Sequence, residues 1–155
     1  RSVIQEANEA GIKEVVDQQF EIGQRIFDGG IMPILEPEVS INSKTKKEAE
    51  AIMKEEILKH LDALKGDTKV MLKLTIPTED DFFRELIDHD RVVRVVALSG
   101  GYSRDEANKM LEKNPGLIAS FSRALVSEVR ADQSDEEFEA EMKKSVDSIY
   151  AASII

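Results

Sequence analysis

The segment VMLKLTIPT, residues 70–78, places a lysine, Lys73, in the middle of an apolar run. A short run rich in Val, Leu and Ile is typical of a strand that is buried on both faces. Desolvation favours the neutral amine of a buried lysine, and a neutral amine can attack a carbonyl to form a Schiff base. The alternative is a structural lysine whose ammonium extends past the strand end or pairs with a carboxylate.

Two glutamates precede this lysine in the segment LEPEV. Glu36 and Glu38 are two residues apart, so their side chains point to one face if the segment is extended. A carboxylate beside an amine can transfer protons during imine formation. Pro33 and Pro37 favour an irregular strand end. The pair therefore predicts acid/base chemistry, with an ion pair to Lys73 or a solvated strand end as the alternatives.

Two further segments could bind an anion. In LSGGYS, the residues Ser99, Gly100 and Gly101 follow an apolar run and allow a tight turn whose backbone N–H groups can converge on an anion. In SFSRAL, Arg123 follows another apolar run at the start of a possible helix, where a guanidinium suits a phosphate. The alternatives are an ordinary strand-to-helix turn and a surface arginine.

These residues lie in or just after predicted strands that alternate with helices. The predicted helices cover residues 12–27, 44–64, a short stretch around 82–87, and segments beginning after Ser103 and Ser134; the predicted strands cover 31–39, 70–76, 91–99 and 117–122. Ser103 with Glu106, and Ser134 with Glu137, form the pattern of a capping box. The order is one helix followed by four β/α units, which predicts an α/β fold with a parallel sheet. Ligands of such folds bind at the carboxyl ends of the strands.

The composition limits the possible functions. The chain has 155 residues, 41% of them hydrophobic and 34% charged, as expected for a single globular α/β domain spanning 1–155. It has no cysteine, which excludes disulfides and thiolate chemistry, and this is consistent with a cytoplasmic protein. A net charge of −10 argues against nucleic-acid and membrane partners. The first residues show no signal peptide, and no apolar run is long enough to span a membrane.

The order of the motifs resembles one enzyme family. PILEPEV, MLKLT, VVRVVALSGGYSRDEA and ASFSRAL, taken together, are similar to class I fructose-1,6-bisphosphate aldolases of the bacterial type, and the resemblance covers essentially the whole chain. It implies a (β/α)8 TIM barrel, of which this chain supplies about four β/α units, the C-terminal half. It also implies reversible cleavage of fructose 1,6-bisphosphate to dihydroxyacetone phosphate and glyceraldehyde 3-phosphate in glycolysis and gluconeogenesis. No metal and no cofactor are implied.

The resemblance also implies catalytic roles. Lys73 matches the family's Schiff-base lysine, and Glu36 matches its general acid/base. Glu38 matches a secondary carboxylate near that lysine. The implied chemistry agrees with the residue types, because a protonated imine is an electron sink that allows the C3–C4 bond of the ketose to break.

A second set of matches implies a site for the substrate phosphates. It comprises Ser99, Gly100, Gly101, Ser120 and Arg123, with Arg1 as a weaker match to an arginine that contacts the other phosphate. The family's glycine before the arginine is Ser122 here. Phosphate contacts of this kind supply positioning energy away from the reacting bond.

Four β/α units are half of a barrel, since a complete one needs eight units and ~250 residues. An isolated half would expose two parallel sheet edges and an apolar interior to water. We therefore expect the N-terminal half of a barrel as a partner, a homo-oligomer, and little or no activity of residues 1–155 alone. The alternatives are a non-catalytic half-barrel module that binds phosphate or assists assembly, and a Schiff-base lyase for another ketose phosphate.

Overall fold

Strands and helices alternate along the whole chain in the computed structural model, which describes Arg1 to Ile155. The strands are β1 (Ser2–Ile4), β2 (Ile34–Leu35), β3 (Pro37–Val39), β4 (Val70–Thr75), β5 (Val92–Leu98) and β6 (Ile118–Ala119). The helices are α1 (Glu9–Asp28), α2 (Lys46–Ala63), α3 (Arg84–Ile87), α4 (Arg104–Leu111) and α5 (Asp135–Ser153). The predicted α/β class is confirmed.

All strand pairs are parallel, as the short apolar runs predicted. Four strands form one sheet in the order β2-β4-β5-β6, and β1 pairs with β3 separately. Within the larger sheet Lys73 lies opposite Val96, and Ala97 lies opposite Ala119. Glu36 is the single residue between β2 and β3, so the chain passes from one sheet to the other at this glutamate.

The two faces of β4 have different surroundings. Leu72 and Leu74 are fully buried in a core cluster that includes Ile57 and Leu61 of α2. Met71 and Lys73, on the opposite face, are only half-buried. The expectation of a strand buried on both faces is therefore wrong, because the face that carries Lys73 borders an open cavity.

Several predicted boundaries are also wrong. The segment 31–39 is two short strands instead of one, since Pro37 has no N–H for a continuous ladder. The strand predicted over 117–122 is limited to β6, and β1 precedes the first helix, where no strand was predicted. The short helix around 82–87 is limited to the single turn of α3.

The helix starts follow the predicted local signals. Ser103 and Glu106 form a capping box at α4, and Ser134 and Glu137 form one at α5. No helix is both long enough and apolar enough to cross a bilayer.

A buried ion pair attaches α2 to the segment that follows β4. The ammonium of Lys46 contacts Glu50, and it also donates to the carbonyl of Ile76 at 2.9 Å and to Thr78 Oγ1 at 3.0 Å. The backbone N–H of Thr78 donates to Glu50 Oε2 at 3.0 Å. Both charges are thereby paired and hydrogen-bonded, which is the condition for burying them.

Candidate functional site

A polar cavity of about 260 Å³ lies at the carboxyl ends of β5 and β6, beside Lys73 of β4. It is lined by Arg1, Glu38, Lys73, Leu98, Ser99, Gly100, Ser120, Ser122 and Arg123. Three of these side chains are cationic and one is anionic, although the chain as a whole has a net charge of −10. The cavity therefore concentrates positive charge where an anionic ligand could bind.

Lys73 and Glu36 form an ion pair on one side of this cavity. Lys73 Nζ lies 3.1 Å from Glu36 Oε1, and the two side chains are 27% and 24% exposed. The sequence predicts a buried Lys73, whereas its side chain is half-buried. The distance is short enough for direct proton transfer between the amine and the carboxylate. The ion pair between Lys73 and Glu36, which the sequence left open as an alternative, is present.

The position of Glu36 is set by α1. The backbone N–H of Glu36 donates to Gln19 Oε1 at 3.0 Å, and its carbonyl accepts from the Ser2 N–H at 3.0 Å. Gln19 Nε2 also donates to Ser2 Oγ at 3.3 Å. Gln19 is not among the residues predicted from the sequence, although a polar residue three after Val16 on the apolar side of α1 is a signal for a buried hydrogen-bonding role.

Glu38 has a different partner from Glu36. Its Oε1 lies 2.9 Å from Arg1 Nε, and the Glu38 side chain is mostly buried whereas that of Arg1 is exposed. Glu38 lines the cavity and Glu36 does not, because Glu36 lies in the break between the two sheets and Glu38 lies within β3. The prediction that both carboxylates share one face of a single strand is therefore wrong, since Glu36 contacts Lys73 from the break between the strands and Glu38 lines the cavity from β3.

The turn after β5 has free backbone donors. Gly100 and Gly101 have φ values of +65° and +122°, a conformation that favours glycine. The N–H of Tyr102 donates to the Ser99 carbonyl at 3.0 Å, while the N–H groups of Gly100 and Gly101 donate to no other backbone group. Unpaired amides in such a turn are suitable donors for an anion. Gly101 belongs to the turn but does not line the cavity.

Arg123 lies in a turn and not at a helix start. The N–H of Leu125 donates to the Ser122 carbonyl at 3.2 Å, and the next helix, α5, begins only at Asp135. The prediction that a helix N-terminus at Arg123 favours phosphate binding is therefore wrong. Its guanidinium still lines the cavity, together with Ser120 and Ser122. Ser122, which the sequence marked only as a departure from the family pattern, also lines the cavity.

A larger groove of about 450 Å³ lies beside the polar cavity, along β6 and α5. Eight of its ten lining residues are hydrophobic, including Phe121, Leu125 and Tyr150, and none is charged. It shares only Ser120 with the polar cavity. Because the charged side chains belong to the smaller cavity, the candidate chemistry is located there.

Fold and site together describe an α/β protein with a lysine–carboxylate pair and a glycine turn at the carboxyl ends of parallel strands. No protein-family model matches the chain.

Proposed function

We propose that this chain is the Schiff-base half of a class I fructose-1,6-bisphosphate aldolase of the bacterial type, and that it forms the C-terminal half of a (β/α)8 barrel. The observation that carries the proposal is the 3.1 Å pair of Lys73 and Glu36 beside a cationic cavity. The motifs that resemble this family supply these same residues. The parallel order β2-β4-β5-β6 supports the barrel, because successive barrel strands are neighbours.

The proposed chemistry begins with a proton transfer from the ammonium of Lys73 to the carboxylate of Glu36. The free amine then adds to the ketose carbonyl, and Glu36 protonates the departing hydroxyl, so that water leaves and an iminium forms. The iminium accepts the electron pair of the C3–C4 bond when that bond breaks, the carboxylate of Glu36 takes the proton of the C4 hydroxyl, and the aldehyde product leaves. Protonation of the resulting enamine and hydrolysis by water regenerate Lys73 and release the ketone.

The phosphates of the substrate position its carbonyl. In this proposal Ser99, Gly100, Ser120 and Arg123 bind the phosphate nearer the carbonyl, since these residues share a cavity wall with Lys73. Gly101 completes the turn, while Arg1 is a candidate for the other phosphate. Binding energy taken from the phosphates orients the carbonyl without acting on the reacting bond.

An N-terminal barrel half is the proposed partner. The cavity, at about 260 Å³, is smaller than the ~300–1,000 Å³ of typical ligand sites. Large apolar side chains are also exposed on the outer strand β2 and on the helix beside β6, among them Ile34 and Tyr150. Such surface needs a cover, so residues 1–155 alone should show little or no aldolase activity, and assembly into a homo-oligomer is part of the proposal.

Borohydride trapping tests the assignment of the nucleophile. Residues 1–155, combined with the N-terminal half of a bacterial class I aldolase, would be incubated with dihydroxyacetone phosphate and sodium borohydride, and the modified lysine would be identified by mass spectrometry. We expect the adduct on Lys73, its loss in Lys73→Arg, and its retention in Lys69→Arg, which alters an exposed lysine beside the same strand. An adduct on a different lysine would refute the assignment.

A non-catalytic phosphate-binding or assembly module is the second candidate. It is favoured by the ion pair itself, because an ammonium held by Glu36 is not a nucleophile until it loses its proton. Binding of phosphate esters without any borohydride adduct would support this module over the enzyme. A Schiff-base lyase for another ketose phosphate would give the adduct, and comparison of substrates separates it from the aldolase.

A further inference from the structure

The glycine turn after β5 is covered by one side chain from a different loop. Ile41 lies between β3 and α2, three residues after Glu38. A Cβ placed on Gly100 would lie 2.6 Å from Ile41 Cγ2, and one placed on Gly101 would lie 3.2 Å from Ile41 Cδ1. The first distance is shorter than real Cβ contacts, so the methyl groups of Ile41 pack directly on the glycine backbone.

The other contacts of this turn come from the strands below it. The same Cβ position on Gly100 would lie 3.5 Å from Thr75 Cγ2 and 3.6 Å from Leu98 Cδ1. Thr75 Oγ1 also donates to the Val39 carbonyl at 2.7 Å in a buried hydrogen bond that joins β4 to β3. The base of the turn is thus formed by residues of regular strands, whereas Ile41 contacts the turn from a loop.

The turn needs such a contact to stay in one conformation. Two successive glycines with positive φ have many alternative backbone conformations. Ordering them when an anion binds would cost conformational entropy, which would weaken binding. A side chain that already excludes the alternative backbone conformations in the free protein removes part of the entropy cost of binding.

We propose that Ile41 is a positioning residue that holds the turn of Ser99, Gly100 and Gly101 ready to bind an anion. The inference rests on the anion site of the proposed function and adds the loop after β3 to it. Since Glu38 lies on the strand that enters this loop, the loop also links a carboxylate of the cavity to the anion-binding turn.

Titration of ¹⁵N-labelled residues 1–155 with inorganic phosphate at constant ionic strength tests this role, with the amide signals of Gly100 and Gly101 as the readout. We expect Ile41→Ala to bind phosphate about tenfold more weakly than the original chain, because the turn must then be ordered on binding. Ile41→Val keeps a methyl group over Gly100 and loses the one over Gly101, so a loss of about threefold is expected. Ile31→Ala, at a position that is 67% exposed, is the matched control and should leave the affinity unchanged.

Thermal unfolding of each variant without phosphate separates positioning from stability. A lower melting temperature with unchanged phosphate affinity in Ile41→Ala would overturn the inference and leave the anion site of the proposed function intact. If Ile41→Ala does not fold, unchanged affinity in Ile41→Val has the same meaning. Absence of phosphate binding by the original chain would overturn both the anion site and the role of Ile41.

Discussion

Lys73 and Lys46 show two different uses of a lysine–glutamate pair. Lys46 and Glu50 are almost fully buried, and their remaining hydrogen-bonding groups are satisfied by Ile76 and Thr78. Breaking such a pair leaves an unpaired buried charge, so its role is structural. The pair of Lys73 with Glu36 is 27% and 24% exposed and can separate at a smaller cost. This difference suits Lys73 to a reaction in which the amine must leave its partner.

Gln19 is expected to stabilise the break in which Glu36 lies. The substitution Gln19→Leu removes the acceptor of the half-buried Glu36 N–H and places an apolar side chain of similar size on the buried side of α1. We expect the free energy of unfolding to fall by about 1–2 kcal/mol, since a donor that loses its partner keeps its desolvation cost. Urea denaturation measures the change.

The matched control for this prediction is Gln18→Leu, which alters the neighbouring, exposed glutamine of the same helix. Its effect should stay within about 0.5 kcal/mol, as for most surface substitutions. Equal effects of the two substitutions would show that the hydrogen bond to Glu36 contributes nothing to stability.

At the scale of elements, α4 begins directly after the glycine turn, and local hydrogen bonds fix its start. Its capping box joins Ser103 to Glu106 through three hydrogen bonds, of which the Ser103 hydroxyl donates one at 2.6 Å and accepts one at 3.3 Å. The bonds from the side chain and the backbone of Ser103 hold the pKa of the Glu106 carboxyl below its ordinary value of 4.5. The start of α4 should therefore depend on pH.

The sign of this dependence follows from the lowered pKa of Glu106. A carboxylate with a depressed folded-state pKa contributes stability that is present above its unfolded pKa and is lost as pH falls through the folded pKa. Glu106→Gln should therefore lower the melting temperature at pH 7, and the difference from the original chain should shrink once the pH is below 4.5. Melting curves from pH 7 to pH 3, followed by circular dichroism, measure it.

Glu139→Gln serves as the control because this exposed glutamate lies on α5, outside both capping boxes. We expect a melting temperature close to that of the original chain at each pH. A difference between Glu106→Gln and the original chain that persists unchanged at pH 3 would contradict the role assigned to the carboxylate.

At the scale of the whole molecule, both outer strands of the main sheet lie beside exposed apolar side chains. Ile34 of β2 is exposed at one edge, and Val146, Tyr150 and Ile154 are exposed beside β6 at the other. The edge of β6 is partly covered, because Ser153 Oγ accepts a hydrogen bond from the Ala119 N–H at 3.1 Å. Apolar surface of this kind favours association when no partner covers it.

Tyr150→Lys should reduce self-association of residues 1–155. Tyr150 is 63% exposed and lines the apolar groove, so a lysine places a charge where a second molecule would contact apolar surface. Ala51→Lys makes the same change in net charge at an exposed position on α2, outside this groove. Static light scattering over a range of concentrations should show a lower apparent mass for Tyr150→Lys than for Ala51→Lys. Indistinguishable masses would exclude the groove as the contact.

The features that the sequence predicted correctly are local ones. The capping boxes of α4 and α5 depend on residues three apart, and the glycine turn depends on the conformations that Gly100 and Gly101 allow. The α/β class followed from the alternation of helical spacing with short apolar runs, which each segment displays by itself. The proximity of several candidate residues around one cavity was expected because the carboxyl ends of parallel strands meet on one side of a sheet, while their roles stay predictions.

Other properties were decided only by contacts between segments that are distant in the chain. The exposure of Lys73 depends on what packs over one face of β4, and the break at Glu36 depends on pairing with β1 and on Gln19 of α1. The contact of Ile41 with the glycine turn joins residues about sixty positions apart. By itself, therefore, the sequence determined the local conformations and the types of reactive group. The tertiary structure decided their exposure and their partners, since burial and pairing depend on all the elements that meet at a residue.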